Sequence, residues 1–306
     1  MGINIKKLID KLNIEIIYLP KEKENTEINS NILNKLGLQL TGFYLNFNNE
    51  VFQVISSEEK YYLDSLDDIS RINSLENLFK KDILGIIYTD DIYPDNEVIN
   101  LSKKNKVPIL KTNYNFHKFN LEYNNFMNMA LAPTIRMHGV LLDIYGVGVL
   151  ITGKSGIGKS ETALDLISKG SKLISDDSVI IKYIDDRLIG SSPEITKYFM
   201  EIRGVGIIDI QKLYGVGNVM EYKDIDIIVH LESWDEKKEY DRLGIDNEYE
   251  EILGKKIVKY VIPVKTGRHT ALIIEVATKN YKLKETGYNP AIELNKRIID
   301  KSVCDE

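Results

Sequence analysis

Residues 153–160 read GKSGIGKS and fit the pattern G-x-x-x-x-G-K-[ST], with Gly153, Gly158, Lys159 and Ser160 at its fixed positions. This stretch constrains the fold more than any other in the chain, because it works only in one setting. A β-strand must run into it and a helix must leave it. The glycines turn the backbone so that successive N–H groups point inward as an anion nest. The helix adds its unpaired N-terminal amides and the positive end of its dipole. The flanks have the required character. The apolar, β-rich run GVGVLI (146–151) precedes the loop. SETALDLISKG follows it, with Ala163, Leu164 and Ile167 on one helical face and Gly170 placed to end the helix. Lys159 is then within reach of the β- and γ-phosphates of a nucleotide, and the Ser160 hydroxyl is a ligand for Mg²⁺. Lys154, Ser155, Gly156 and Ile157 form the rest of the cradle.

The chain has 306 residues, which suggests about two domains. Apolar residues make up 43% and charged residues 28%, ample for ordinary globular cores. A net charge of −6 argues against a dedicated nucleic-acid binder. The single cysteine, Cys304, has no intrachain disulfide partner, which fits a reducing cytoplasm. Charges at Lys6, Lys7, Asp10 and Lys11 interrupt the first residues, so no signal peptide is expected, and no apolar run is long enough to predict a membrane span.

Residues 1–132 alternate strand-like runs (14–20, 51–55, 84–89 and 107–112) with helical ones (74–83 and 122–132), the pattern of a small N-terminal α/β domain without a catalytic constellation. A boundary is expected at Ala132-Pro133. The second domain, 133–306, is richer in β structure and glycine. Its 140–151 segment reads as a hairpin about Tyr145-Gly146 leading into the loop, and 173–192 as further strands with a turn at Asp185-Asp186. Strands at 225–234 and 255–264 and helices at 270–281 and 290–301 complete it.

Moving a phosphoryl group requires a metal, a group to manage the acceptor's proton, and positive charge for the transition state. Asp176 and Asp177 follow a strand soon after the loop helix, on the strand expected to run beside the loop. They read either as a working pair, one near a metal and the other taking a proton, or as a solvated turn. Glu201 and Arg203 precede a Gly-x-Gly turn; Glu201 reads as a completing Mg²⁺ ligand or as an ordinary charge on a hairpin. His138, Arg242 and the basic run Lys255, Lys256, Lys259, Lys265, Arg268 and His269 are further candidates, each with a purely structural reading beside it. Gly267 would let the backbone between Lys265 and Arg268 form a second nest.

Four stretches carry a resemblance: MHGVLLDIYGVGVLITGKSGIGKSETALDLISKG, LISDD, EIRGVGIIDI and PVKTGRHTALIIEVA, in that order through most of residues 133–280. Together they resemble the bifunctional HPr kinase/phosphorylase family. The N-terminal region resembles it only in length and α/β character. The resemblance implies a P-loop kinase domain related to phosphoenolpyruvate carboxykinase and assembled as a hexamer. It implies phosphorylation of a serine of the phosphocarrier protein HPr from ATP or pyrophosphate with Mg²⁺, and removal of that phosphate by phosphorolysis, which gives pyrophosphate and serves carbon catabolite repression and sugar uptake. It assigns His138, Lys159, Asp177 and Arg242 to the active site, Ser160 and Glu201 to Mg²⁺, and Pro263, Val264, Lys265, Thr266, Gly267 and Arg268 to dephosphorylation. Here Lys265, Thr266 and His269 stand where the family usually has Arg, Pro and Asn, and Lys154 where an acidic residue is common. A small-molecule kinase or carboxykinase-like enzyme would share the loop and carboxylates. A guanine-nucleotide switch would also need Asn-Lys-x-Asp, which the chain lacks.

Overall fold

The computed structural model describes residues 3–240, 248–265 and 267–304. The chain divides into two compact units, Met1–Ala132 and Pro133–Glu306. The first is built on a five-stranded sheet in the order Glu15–Tyr18, Ile109–Lys111, Ile86–Tyr88, Gln53–Ile55, Asn34–Lys35. The last four strands are parallel and the first is antiparallel to its neighbour. Alternate side chains supply two cores. Phe52, Val54 and Leu110 pack with Ile5 and Leu8 of helix Ile5–Leu12 and with Phe119 and Tyr123 of Phe116–Leu131. Ile55, Ile86 and Ile109 pack with Leu75 and Leu78 of Asp68–Phe79 and with Val98 of Asn96–Asn105. Lys111, 2% exposed, is tied to Asp91 at 2.6 Å and Glu15 at 3.2 Å. The hydrogen bond to Asp91 is the main cause that pushes its pKa up, so it stays charged although buried.

The second unit carries two larger sheets and a hairpin. The six-stranded sheet runs Lys172–Ser175, Val140–Ile144, Val147–Gly153, Ile227–Ser233, Lys255–Val264, Glu248–Ile252. A four-stranded antiparallel sheet runs Tyr222–Asp224, Arg187–Ser191, Ser178–Ile184, Thr134–His138. Val149, Ile151, Val229 and Leu231 bury one face of the larger sheet against helices Lys159–Ser168 and Thr270–Glu285. Leu141, Leu150 and Ile228 bury the other with Val179, Ile181 and Leu188 of the four-stranded sheet. Strand Val147–Gly153 is therefore apolar on both sides, which is why its sequence reads as a continuous hydrophobic run rather than an alternation.

Both sequence-predicted turns are two-residue connections with consecutive left-handed residues: Tyr145 and Gly146 at φ 55° and 86°, and Asp185 and Asp186 at φ 48° and 59°. That geometry matches the natural twist of a hairpin. Helix Lys159–Ser168 ends as expected at Gly170, φ 99°, with the Gly170 and Ser171 N–H groups donating to the Ile167 and Leu166 carbonyls. One expectation needs correction. The strand before Asp176-Asp177, Lys172–Ser175, does not run beside the loop strand; Val140–Ile144 lies between them. The hairpin requires this: once the chain doubles back at Tyr145-Gly146, its first arm occupies that edge of the loop strand.

Gly148 lies where the loop strand crosses under Tyr222–Asp224. A Cβ there would overlap the Asp224 carbonyl oxygen, while the Gly148 N–H donates to Asp226 at 2.6 Å. The overlapping atom is backbone of a strand paired with Arg187–Ser191, so it cannot swing away as a side chain would. Gly148→Ala is expected to cost at least about 3 kcal/mol of stability, the upper end of overpacking penalties. A urea unfolding midpoint indistinguishable from that of the parent chain would refute this.

Candidate active site

The loop is held by its glycines. Gly156 and Gly158 take φ 80° and 96°, values that side-chain-bearing residues seldom adopt. Gly158 is also the residue on which helix Lys159–Ser168 begins, with its carbonyl accepting from the Thr162 N–H at 3.0 Å. Ile157 turns inward onto the core, whereas Lys154, Ser155 and Gly156 face solvent. Lys159 is 7% exposed, and its ammonium donates to the carbonyls of Gly153 at 3.0 Å and Lys154 at 3.2 Å. The Arg203 guanidinium lies over the loop, close enough that a Cβ on Gly156 would sit 3.0 Å from its Nη1.

The two aspartates separate completely. Asp176 is buried. Its carboxylate accepts from the Ser160 hydroxyl at 3.0 Å and from the Glu201 N–H at 3.1 Å. Burial pushes its pKa up, against the pull of those two hydrogen bonds and of one from the Asp177 backbone. Asp177 is the turn residue between strands Lys172–Ser175 and Ser178–Ile184, in left-handed backbone geometry at φ 64° with its side chain 76% exposed. The peptide flip at this turn sends one carboxylate inward and the next outward. His138 meets the outward one: its Nδ1 lies 3.0 Å from Asp177 Oδ1 and 3.0 Å from the Asp177 carbonyl oxygen. Both are acceptors, so Nδ1 carries the proton. Strand pairing fixes this contact, because Ser178 is the register partner of His138 and the Gly139 N–H donates to the Asp177 carbonyl.

Glu201 sits on the hairpin Phe199–Ile202/Gly206–Asp209, its backbone held by Asp176 and its side chain exposed. Ser160, Asp176, Asp177, Glu201, His138 and Lys159 line one cavity of about 100 Å³, together with Arg203 and Glu161. That is well short of the several hundred Å³ that encloses a drug-sized ligand, and the cavity opens to solvent, so a nucleotide could place its phosphate end here and the rest of itself outside. The donor set around Asp176 is one hydroxyl and two carboxylates, all hard oxygen, the type that suits Mg²⁺ with several retained waters. A cation there would offset the cost of ionising the buried Asp176.

The remaining sequence candidates are elsewhere. Gly153 lies under the Leu231 carbonyl, and Lys154 faces solvent outside the cavity. Arg242 and Thr266 lie outside the described residues. Pro263 and Val264 end strand Lys255–Val264, and with Lys265, Gly267 and Arg268 they do not line the cavity. They share its sheet edge, since parallel strand Ile227–Ser233 pairs Leu231 with Gly153 and Ser233 with Val264. Sequence reasoning did not single out Asp176 over Asp177 or place Arg203 on the loop. No local signal separates the two aspartates, because the division rests on which side chain is buried.

A model of the HPr serine kinase N terminus matches residues 3–127, and one of the HPr serine kinase C-terminal domain matches residues 129–298. The HPr kinase/phosphorylase of Peptoclostridium acidaminophilum is 43% identical over 302 residues, 98% of this chain and 97% of that protein. That of Clostridium beijerinckii is 45% identical over 282 residues, 92% and 93% of the two chains. A solved structure of the Hpr(Ser) kinase/phosphatase from Coxiella burnetii aligns with a TM-score of 0.47 at 36% identity, covering 50% of this chain and 94% of that one. Matched along both units and across nearly its whole length, the chain belongs to the HPr serine kinase family.

Proposed function

We propose that the chain is a bifunctional phosphotransferase: it phosphorylates a serine of the phosphocarrier protein HPr from ATP or pyrophosphate and removes that phosphate by phosphorolysis. In this reading 133–306 is a P-loop kinase domain of the phosphoenolpyruvate carboxykinase type, 1–132 an accessory α/β domain, and the assembly a cytoplasmic homohexamer that controls carbon catabolite repression and sugar uptake. The observation that carries the reading is one small cavity beside the loop. A phosphate cradle, a buried carboxylate and an exposed carboxylate paired with histidine converge there, in a space of a size to enclose the phosphate end of a donor. ATP and pyrophosphate present that same end. Exposed apolar residues on the last two helices, among them Leu272, Val276, Ile292 and Ile299, give support for assembly.

The residues divide the chemistry. The loop amides and Lys159 bind the transferring phosphate, and Arg203 adds charge over it. Mg²⁺, held by Ser160, Asp176 and Glu201, would supply further neutralisation of the phosphate oxygens. Asp177 faces outward, where a serine on a protein surface can reach it. In the forward direction its carboxylate accepts the proton of the serine hydroxyl as that oxygen bonds to phosphorus. In the reverse direction an oxygen of hydrogen phosphate bonds to the phosphoserine phosphorus, the bond to the serine oxygen breaks, and the proton from the hydrogen phosphate passes through Asp177 to that oxygen. Pyrophosphate leaves. His138 fixes the carboxylate for both directions. Pro263, Val264, Lys265, Thr266, Gly267 and Arg268 serve the attacking phosphate, and Arg242 completes the site.

The direct test is incubation with HPr, Mg²⁺ and ATP followed by excess phosphate. Phosphoserine should appear and then vanish with release of pyrophosphate. Phosphate transfer to members of a metabolite panel and not to HPr would favour a small-molecule kinase instead. Lys159→Ala should abolish transfer from ATP and pyrophosphate alike, and activity retained with either donor would contradict a shared cradle. Asp177→Asn should lower both directions by ~10²–10⁴-fold, the usual range for an acid–base group; loss in one direction only would separate the two roles. Asp176→Asn should remove the rise in melting temperature that Mg²⁺ gives the parent enzyme. A variant stabilised by Mg²⁺ as strongly as the parent would take Asp176 out of the metal site.

A further inference from the structure

The strand after the phosphate-loop strand ends in an aromatic platform. Trp234, the chain's only tryptophan, follows strand Ile227–Ser233 and is 42% exposed. Tyr240 stacks on it at 5.2 Å between ring centroids, and the Tyr240 hydroxyl accepts from the Asp235 N–H at 3.1 Å. Two cations share the indole: Lys265 Nζ at 5.6 Å from its centre and the Arg268 guanidinium at 6.0 Å. Neither cation has a carboxylate within ion-pair distance among the described residues, whereas the neighbouring Lys238 is paired with Glu232. The segment is anchored to the ring's own backbone, as the Trp234 N–H donates to the Val264 carbonyl at 3.0 Å and Arg268 Nη1 donates to Pro263 at 3.2 Å.

Both cations stand within 6.0 Å of one ring centre, and the ring's quadrupole offsets only part of their charge. The arrangement leaves an unmet demand for a small anion. It stands on the same sheet edge as the phosphate loop, one strand away, since Ile227–Ser233 pairs with both flanking strands in parallel register. We propose that Trp234 is a positioning residue: its indole gathers the Lys265 and Arg268 cations into one receptor for a phosphate-sized oxyanion beside the loop. This rests on the reading above in which the 263–268 segment serves phosphorolysis, and it assigns the residue that shapes that segment. Cation–π attraction is weak at an exposed site, so an arriving phosphate can draw both cations off the ring.

The test uses the full-length enzyme and inorganic phosphate as the probe. Phosphate titration should change the emission of the single tryptophan saturably, and Arg268→Ala should blunt the change. Trp234→Leu should raise the KM for phosphate in phosphorolysis about three- to fivefold, the size of an exposed cation–π contact, with kcat moving less. Trp234→Phe should restore most of the difference because it keeps an aromatic face. Melting curves of both variants establish that they are folded. A Leu variant with the parent's KM for phosphate overturns the proposal, as does one that loses kcat in both directions without rescue by Phe. If Arg268→Ala raises the KM for phosphate and Trp234→Leu does not, the positioning role alone fails. If Arg268→Ala leaves phosphorolysis untouched, the assignment of the whole segment fails with it.

Discussion

The Asp176 carboxylate is the tie on which the rest of the cavity depends. One oxygen accepts from Ser160 in the first turn of the loop helix and the other from the backbone of Glu201 on the hairpin. Its own main-chain carbonyl accepts from the Ser178 N–H, where the four-stranded sheet begins. Two pieces of chain distant in sequence thus meet on one buried carboxylate, and the four-stranded sheet begins beside it. Such a group is costly to leave unpaired, so the pieces are held in register more firmly than surface contacts would hold them. Burial sets the protonation tendency of Asp176, and the tight turn after it turns Asp177 outward. Adjacent residues of the same type thereby acquire opposite environments.

How much of this was legible in the sequence follows from range. The strand–glycine loop–helix order around 153–160, the Tyr145-Gly146 and Asp185-Asp186 turns and the Gly170 helix end were readable because each is decided by a few neighbouring residues with one demanding backbone geometry. The order of strands was not. Lys172–Ser175 pairs with Val140–Ile144 across some thirty residues, and nothing in either segment says which edge of the loop strand is already taken. The same limit hid the platform at Trp234, which meets Lys265 and Arg268 only because two parallel strands end together. The pair Asp176-Asp177 was readable as a pair, but dividing it required knowing which side chain is buried, a property of the packed unit.

The hairpin Phe199–Ile202/Gly206–Asp209 joins these two levels. Its inner residues Met200 and Ile202 belong to the core under the loop helix, whereas Val205 and Ile207 are more than two-thirds exposed. Glu201 alternates with the buried positions of its strand and so faces the cavity, and Arg203 reaches the same cavity from the turn that follows. A segment anchored through its apolar residues carries its charged ones with little freedom, which suits groups that must meet a phosphate in a set direction.

Lys159 has a consequence of another kind. Its ammonium is already stripped of most water and rests on two carbonyls of its own loop. The desolvation that a surface lysine would undergo on meeting phosphate has therefore been met during folding, and an incoming oxyanion exchanges one set of oxygen partners for another. Mobile ions reach such a buried charge poorly, because screening weakens where water is excluded. In the proposed function, phosphate capture in the loop should accordingly depend less on ionic strength than capture by solvent-facing lysines does, so that the grip on a donor would vary little with salt.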